Sequence, residues 1–264
     1  MTSAATTHFD IEAGRIEVSP LVAPWSVGLT TGARNPFVPT SVADTLANVV
    51  AHARRTFGAD GAGIVLTADG GAVPAAASGQ QARRADALQA DHQQGPAFQA
   101  IKGRQPVVSS ELRFDSRWRF WAPLAADLGI RSVLSLALAD GEPFGAISLY
   151  SRRTSFFRAV SLAPGLKFAQ QASMAITAAV EREQLLKAAD TRGVVGQAQG
   201  ILMERYHLTA DQALAVIRRS SSALNQKLRL IAERIIGGCG LPDSELLTLP
   251  YLVGANSIGS GSQK

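Results

Sequence analysis

The residues best suited to binding chemistry lie in the last third of the chain. They are three amides, Gln197, Gln199 and Asn225, and three cations, Arg192, Arg205 and Lys227, with Gly200 beside them. Amides both donate and accept hydrogen bonds, and arginine and lysine attract anionic groups. This combination predicts a surface that binds a polar, negatively charged partner.

The chain shows none of the familiar arrangements of catalytic residues. It has no recognisable Ser, His and Asp set, no phosphate loop of the GxxxxGK[ST] type and no carboxylate pair within a motif. The single cysteine, Cys239, excludes an intramolecular disulfide and a multi-cysteine metal site. We therefore expect a protein that is not an enzyme and has no metal site.

The binding residues centre on the segment Arg192–Tyr206, which reads RGVVGQAQGILMERY. At about 100° per residue, a helix places Val194, Ala198, Ile201 and Leu202 on one side and Gly193, Gly196, Gly200 and Ala189 on the other. Each glycine costs a helix about 1 kcal/mol relative to alanine, so the missing side chains suggest close approach of a partner. The alternative is a loop whose glycines only form turns.

Composition and charge are those of a globular protein with a basic C-terminal region. The 264 residues suit about two domains, with 46% hydrophobic and 18% charged residues. Residues 192–240 contain seven Arg or Lys and three Asp or Glu, a net charge of +4. No apolar run reaches the roughly 20 residues of a membrane span, and no signal peptide is recognisable. We expect a cytoplasmic protein without membrane contact.

The middle of the chain predicts an α+β domain with an antiparallel sheet. A helix starts at Ser41 and ends at Gly58, strands are expected at 63–66, 73–77 and 106–109, and residues 132–150 form the clearest hairpin. Helices are expected near 81–91, 96–102 and 118–128. Antiparallel strands around inserted helices are typical of α+β domains.

A long helix and two shorter ones are predicted after this domain. Residues 161–190 form the long helix, with Pro164 in its first turn and a periodic set of apolar residues that suits pairing with a second copy or packing on the sheet. That set is Phe168, Ala172, Ala175, Ala179, Leu186 and Ala189. Thr209 and Gln212 have the spacing of a capping box, the serines at 220–222 are expected to end that helix, and a third helix follows from Leu224. The predicted core of this bundle contains Val194, Ala198, Ile201, Leu214, Ile217, Leu228 and Ile231.

Three collinear blocks at the C-terminal end resemble the ANTAR family of bacterial transcription antitermination regulators. They are QAQGILMERY at 197–206, TADQAL at 209–214 and NQKLRLIA at 225–232. The resemblance implies a dimeric three-helix domain that binds RNA stem-loops near a terminator. If the partner is RNA, the chemistry of the side chains predicts that its contacts are Arg192, Gln197, Gln199, Gly200, Arg205, Asn225 and Lys227. The alternative for each basic or amide residue is a solvated surface position. Gln199 stands where the family often has lysine, which keeps a hydrogen-bonding group but removes a positive charge.

The middle of the chain resembles a GAF domain of the kind often joined to ANTAR. The matching pieces are DHQQGP at 91–96, QPVV at 105–108, RW at 117–118, GIRSVL at 129–134 and GAISLY at 145–150. The resemblance implies a small-molecule pocket over one face of the sheet, without naming the molecule. Candidate lining residues are Phe98, Arg117, Trp118 and Trp121; the alternative is that both tryptophans only cover the sheet. His92, beside a polar turn, is expected at the surface and not as a haem ligand.

These observations predict an organisation in five parts. They are an arm (1–40), a GAF sensor domain (41–160), a connecting helix (161–190), an all-α three-helix ANTAR bundle (191–240) and a tail (241–264). The expected function is a ligand-responsive antitermination regulator that forms a homodimer and binds RNA stem-loops. The alternatives are a DNA-binding regulator, since helices two and three superficially resemble a helix-turn-helix, and a sensor that acts through protein partners.

Overall fold

The computed structural model describes residues 41–68, 71–157 and 162–238. These residues form two compact units that divide between Glu183 and Gln184. The helices of the first unit are α1 (Val42–Phe57), α2 (Gln80–His92), α3 (Pro96–Gly103) and α4 (Trp121–Asp127), and its strands are β1 (Gly61–Ala68), β2 (Gly71–Ala77), β3 (Val107–Ser109), β4 (Ser132–Asp140) and β5 (Glu142–Ser151). The predicted arm and tail, and Cys239, lie outside the described residues.

The five strands form one antiparallel sheet in the order β2-β1-β5-β4-β3. Gly63 of β1 and Ser135 of β4 both lie opposite Ser148 of the central strand β5. The β4–β5 hairpin turns at Gly141, whose φ of 76° suits glycine because a Cβ would be strained there. The antiparallel sheet with flanking helices confirms the predicted α+β class.

The two faces of the sheet are covered by different helices, because successive strand residues point to opposite sides. Leu134 and Leu136 of β4 face α1 and the start of the long helix α5 (Leu162–Tyr206), whereas Val133 faces α2, α3 and α4. As predicted, the Ser41 hydroxyl caps α1 by accepting a hydrogen bond from the Asp44 amide (3.1 Å). Each face therefore has its own apolar core.

The sequence predicted a single helix near 118–128, but the structure divides this region into shorter elements. Two short 3-10 turns at Leu112–Phe114 and Ser116–Trp118 precede α4, which begins only at Trp121. Pro123 explains the late start, because proline has no N–H to donate and is tolerated in the first turn of a helix but not further along. The Asp115 carboxylate accepts a hydrogen bond from the Arg117 amide (3.2 Å), which stabilises the second 3-10 turn.

The predicted connecting helix and the glycine-containing helix are one element. α5 runs for 45 residues, so GVVGQAQG is helical and not a loop. In the first unit its buried residues include Ala169, Ala172 and Ile176. Ala175, another member of the predicted apolar set, is exposed.

The second unit packs α6 (Ala210–Ala223) and α7 (Leu228–Ile236) against the end of α5. The predicted capping box is confirmed: the Thr209 hydroxyl accepts from the Gln212 amide (3.3 Å), and the Gln212 side chain accepts from the Thr209 amide (2.8 Å). The serines do not end α6, because serine costs a helix only about 0.5 kcal/mol and Ser220 is buried. Asn225, with φ 48°, ends the run instead, and α7 starts four residues later than Leu224.

No helix in the described part of the chain has the length and apolar character needed to cross a bilayer.

Replacing the capping residue of α6 tests this local arrangement. We expect Thr209→Ala to destabilise α6 by about 0.5 to 2 kcal/mol, because the Gln212 amide loses its acceptor. The measurement is amide hydrogen exchange of α6 in the full chain. Ser222→Ala, which removes an exposed hydroxyl from the same helix, is the matched control and should change exchange little. Equal effects of the two variants would contradict the assignment of the cap.

Candidate nucleic-acid interface and ligand cavity

Three glycines form an open strip along α5 in the second unit. Gly193, Gly196 and Gly200, here called the glycine stripe, are all exposed. A Cβ built on any of them would have, apart from the adjoining backbone of α5 and its two chain neighbours, no described atom within 4 Å. The stripe therefore lies where another molecule can reach the helix backbone.

The opposite side of α5 is buried in the core of the second unit. The buried residues are Val195, Ala198 and Leu202, which pack with apolar residues of α6 and α7. The predicted core residues Val194 and Ile201 are partly buried and pack against this core, and Val195, which was not among the predicted core residues, is buried within it. The two adjacent valines are hard to tell apart from the sequence, because either one extends the apolar side of a helix.

The predicted RNA-binding residues on α5 do not all face the same way. Arg192 and Gln197 are exposed on either edge of the glycine stripe. Arg205 is also exposed, but five residues beyond Gly200 at about 100° per residue place it roughly 140° away around the helix. Geometry thus groups Arg192, Gln197 and Gly200, and separates Arg205 from them.

Gln199 has a contact inside the protein that the sequence did not indicate. Its side-chain nitrogen donates a hydrogen bond to the Ala210 carbonyl (2.6 Å), and the side chain is partly buried. This bond links α5 to the first turn of α6. The side-chain nitrogen of Gln199, which was expected to contact a ligand, is therefore already used to hold the bundle together.

Asn225 and Lys227 lie in the turn between α6 and α7. Both are exposed, and Lys227 immediately precedes the first residue of α7. Arg229 is different, because it forms ion pairs with Asp190 of α5 and, at 2.7 Å, with Glu233 of its own helix. Lys227 is therefore the more available cation at this end of the second unit.

A cavity of about 480 Å³ opens in the first unit beside the β1–β2 hairpin. Its lining residues are Thr67, Gly71, Ala72, Gln93, Gln94, Gly95, Phe98, Gln99, Ile101, Lys102 and Trp118. Aromatic and aliphatic side chains with a few polar groups are usual in small-molecule pockets. The three glutamines and Lys102 were not among the predicted lining residues, although Gln93 and Gln94 belong to the DHQQGP segment.

The structure brings Phe98 and Trp118 together at this cavity, and places Arg117 and Trp121 elsewhere. Trp121 is fully buried, donates its ring N–H to the Ala85 carbonyl (2.9 Å) and contacts Trp118 edge to face. Arg117 covers the Trp118 ring, 4.4 Å from its centroid, and is not a lining residue. Trp121 therefore supports the cavity wall from the core side.

The Arg117 guanidinium is held by a carboxylate and a carbonyl. It donates to both Asp115 oxygens (2.9 and 2.6 Å) and to the Val108 carbonyl (2.7 Å). Partial burial tends to raise the pKa of Asp115, but hydrogen bonds from Arg117 and Ser109 outweigh it and the pKa is lowered. With its donors used in this way, Arg117 fixes the loop around Trp118.

His92 is exposed and stacks on Phe120, with ring centroids 6.3 Å apart. Within the described residues, no group of three or more His, Cys, Asp or Glu side chains has the geometry of a metal site.

A buried polar cluster near the cavity was missed by the sequence analysis. It consists of Asp86 and Gln89 of α2 and Tyr150 of β5, all almost completely buried. The Tyr150 hydroxyl donates to Asp86 Oδ1 (2.5 Å), and the Gln89 amide donates to the Tyr150 oxygen (3.0 Å). A helical aspartate surrounded by alanines carries no sequence signal of this kind, because ordinary helices place such a residue in solvent.

Comparison with known proteins assigns families to both units. A model of the GAF domain matches residues 39–177, and a model of the ANTAR domain matches residues 183–236. No curated protein matches the chain.

Several solved structures resemble about half of the chain at low identity. The GAF domain of a phosphoenolpyruvate-protein phosphotransferase from Coxiella burnetii is 15% identical over 55% of this chain and 87% of its own, with a TM-score of 0.44. A type II free methionine-R-sulfoxide reductase from Thermoplasma acidophilum is 14% identical over 51% of this chain and 92% of its own, also with a TM-score of 0.44.

The GAF model covers more than half of the sequence, and the ANTAR model follows it directly. Both are families of regulatory domains. The chain belongs to the GAF domain family and, with its C-terminal ANTAR domain, is a GAF-ANTAR regulator.

Proposed function

We propose that the chain is a ligand-responsive antitermination regulator that binds RNA stem-loops through its ANTAR domain. Its activity is binding and not catalysis. A small molecule in the GAF cavity is the proposed signal, and the functional form is a homodimer acting in the cytoplasm. The RNA-binding, homodimer and ligand-binding parts of this proposal each have separate support in the described residues.

The observation that carries the RNA proposal is the glycine stripe. Helix-forming sequences avoid glycine, so three open glycines opposite the core make the helix less stable without improving the packing within the unit. Their benefit is that a partner can approach the backbone of α5. Unpaired loop bases, which are splayed out and read by hydrogen bonds and stacking, suit such a strip with Gln197 at its edge.

Basic residues around the stripe supply the phosphate contacts in this proposal. Arg192 lies at one edge of the stripe, and Lys227 is exposed at the start of α7. Phosphate contacts position a protein on its nucleic acid, whereas contacts to bases provide specificity. The proposed division of roles is therefore Arg192 and Lys227 for phosphates and Gln197 for a base edge, with Arg205 and Asn225 as further candidate contacts.

Exposed leucines on α5 support the homodimer. Leu185 and Leu186 are 72% and 56% exposed, and Ala189 beside them is also exposed. Apolar side chains on a helix with coiled-coil spacing are covered when a second copy pairs with them. In the proposed mechanism, ligand occupancy shifts the helix pair between two arrangements that differ in RNA affinity.

The cavity residues support a planar ligand with polar edges. Phe98 and Trp118 provide apolar and aromatic surface, while Gln94 and Lys102 provide hydrogen-bond donors. In this proposal Arg117 and Trp121 hold Trp118 in place and do not touch the ligand.

One binding experiment separates the RNA proposal from its alternatives. The affinity of the full chain is measured for paired RNA stem-loops, for duplex DNA of the same sequence, and at several salt concentrations. The proposal expects tighter binding to the stem-loops. Tighter binding to duplex DNA would favour a DNA-binding regulator, and no binding to either would favour action through protein partners.

Filling the glycine stripe should strongly weaken RNA binding without unfolding the protein. We expect Gly196→Leu to weaken stem-loop binding at least tenfold, about 1.4 kcal/mol, because the new side chain occupies the contact surface. The fold should persist, since leucine is the better helix former and an added Cβ meets no described atom. Affinity is measured by fluorescence anisotropy and folding by circular dichroism.

The matched control for Gly196→Leu is Ala215→Leu, which places the same side chain at an exposed position of α6. It should leave RNA affinity unchanged. Undiminished binding by a folded Gly196→Leu protein would remove the stripe from the interface.

Removing Lys227 should affect all loop sequences alike. We expect Lys227→Ala to weaken binding and to reduce the slope of log Kd against log salt by about 0.7 to 1, the value for one lost phosphate contact. Arg55→Ala, which removes an exposed cation from α1, is the control and should keep the slope. A slope that stays the same in Lys227→Ala would exclude this lysine from the phosphate contacts.

A further inference from the structure

Asp86 is a carboxyl group enclosed by the first unit without a charged partner. It is 0% exposed, and its Oδ2 atom has no hydrogen-bond partner among the described residues. A Cβ added to Gly63 of β1 would lie 1.8 Å from that oxygen, so the carboxyl fits only because residue 63 is glycine. A buried ionised carboxylate with a bare oxygen is costly, whereas the neutral acid is tolerated.

The groups that face Asp86 favour the neutral form. Tyr150 is the titratable side chain that reaches it from β5, and Gln89 reaches it from its own helix at 3.4 Å. Gly63 faces it from β1 without charge. No cation within the described parts pairs with it, and burial raises the pKa of Asp86 to about 7, although the hydrogen bonds from Tyr150 and Gln89 lower it.

Gln89 connects this carboxyl to the cavity wall. Its side-chain oxygen accepts a hydrogen bond from the Ala97 amide (2.8 Å) at the start of α3. Gly95, which immediately precedes α3, and Phe98, in its first turn, line the cavity. An added Cβ on Gly95 would lie 2.3 Å from the Gln89 oxygen, which shows how closely the two segments pack.

We propose that the cluster of Asp86, Gln89 and Tyr150 is a pH-sensitive switch that controls the order of the cavity wall at the start of α3. When Asp86 loses its proton, the carboxylate attracts the Gln89 amide nitrogen more strongly. The Gln89 nitrogen then moves toward the carboxylate. Because the nitrogen and oxygen of an amide move as one rigid group, the Gln89 oxygen moves away from the Ala97 amide. The first turn of α3 then loses its anchor, and the wall formed by Gly95 and Phe98 loosens.

The proton-linked change depends only on the first unit and needs neither ligand nor RNA. Its use as a signal rests on the sensor role proposed above. A failure of RNA binding would therefore leave the switch intact, and a failure of the switch would leave RNA binding intact.

The decisive experiment measures the carboxyl and the anchored amide in the full chain. Carbon-13 NMR of the Asp86 carboxyl should give a titration midpoint near 7. Hydrogen exchange of the Ala97 amide, corrected for its intrinsic rate, should be slow at about pH 5.5 and lose protection at about pH 8.5. An Asp86 midpoint near 4, or unchanged Ala97 protection across this range, would overturn the proposal.

Variants locate the effect at Asp86. In Asp86→Asn, which cannot ionise, the protection of Ala97 should no longer change with pH. Asp91→Asn, which removes an exposed carboxyl near the end of the same helix, is the matched control and should behave like wild type. Should Asp86→Asn not fold, the wild-type titration still decides, because it requires no variant.

The sign of the stability change provides an independent check. The unfolded chain loses the Asp86 proton near pH 4 and the folded chain near 7, so the folded state binds more protons between these values. The thermal midpoints of wild type and of Asp91→Asn should therefore both fall relative to that of Asp86→Asn as the pH rises from about 4 to 7. A relative rise over this range would contradict the burial of a neutral acid.

Discussion

The structure depends on the way α5 divides its surface between packing and exposure. In the second unit, Val195, Ala198 and Leu202 are buried on one side, and the glycine stripe is exposed on the opposite side. Burial of an apolar side chain contributes about 1.5 to 3 kcal/mol, which offsets the helix-breaking tendency of the glycines. The core can therefore maintain a helix whose other side is kept free of side chains.

The first unit solves a different physical problem, which is how to keep polar groups inside a domain. Its sheet carries small residues at the centre of one face, where Gly63 leaves room for the Asp86 carboxyl. The Tyr150 hydroxyl and the Gln89 amide satisfy part of this buried polarity, and Gln89 extends the network to the start of α3. The cavity wall and the buried carboxyl are consequently linked by two hydrogen-bonding side chains.

Local sequence signals predicted the elements well where one residue type determines the outcome. Ser41 and Thr209 mark helix starts, and Gly141 marks the hairpin turn, because each satisfies a specific backbone requirement. The serines of α6 misled because a weak helix propensity is overridden by packing. Most of the fold was therefore predictable, with errors at boundaries such as the start of α4.

The sites were less predictable, because they depend on contacts between residues distant in sequence. The exposure of the glycine stripe followed from helical periodicity alone. The bond from Gln199 to Ala210, the burial of Trp121 and the cluster around Asp86 required knowledge of which elements pack together. No periodicity distinguishes a buried Asp86 from an exposed Asp91 on the same helix.

The central claim is that RNA contacts the backbone of α5 at the glycine stripe. Intermolecular nuclear Overhauser effects between the α-protons of isotope-labelled glycines and a bound RNA stem-loop test this claim directly. The account predicts such effects from Gly193, Gly196 and Gly200 to protons of loop nucleotides. A saturated complex in which these three glycines show no contact to the RNA would contradict it.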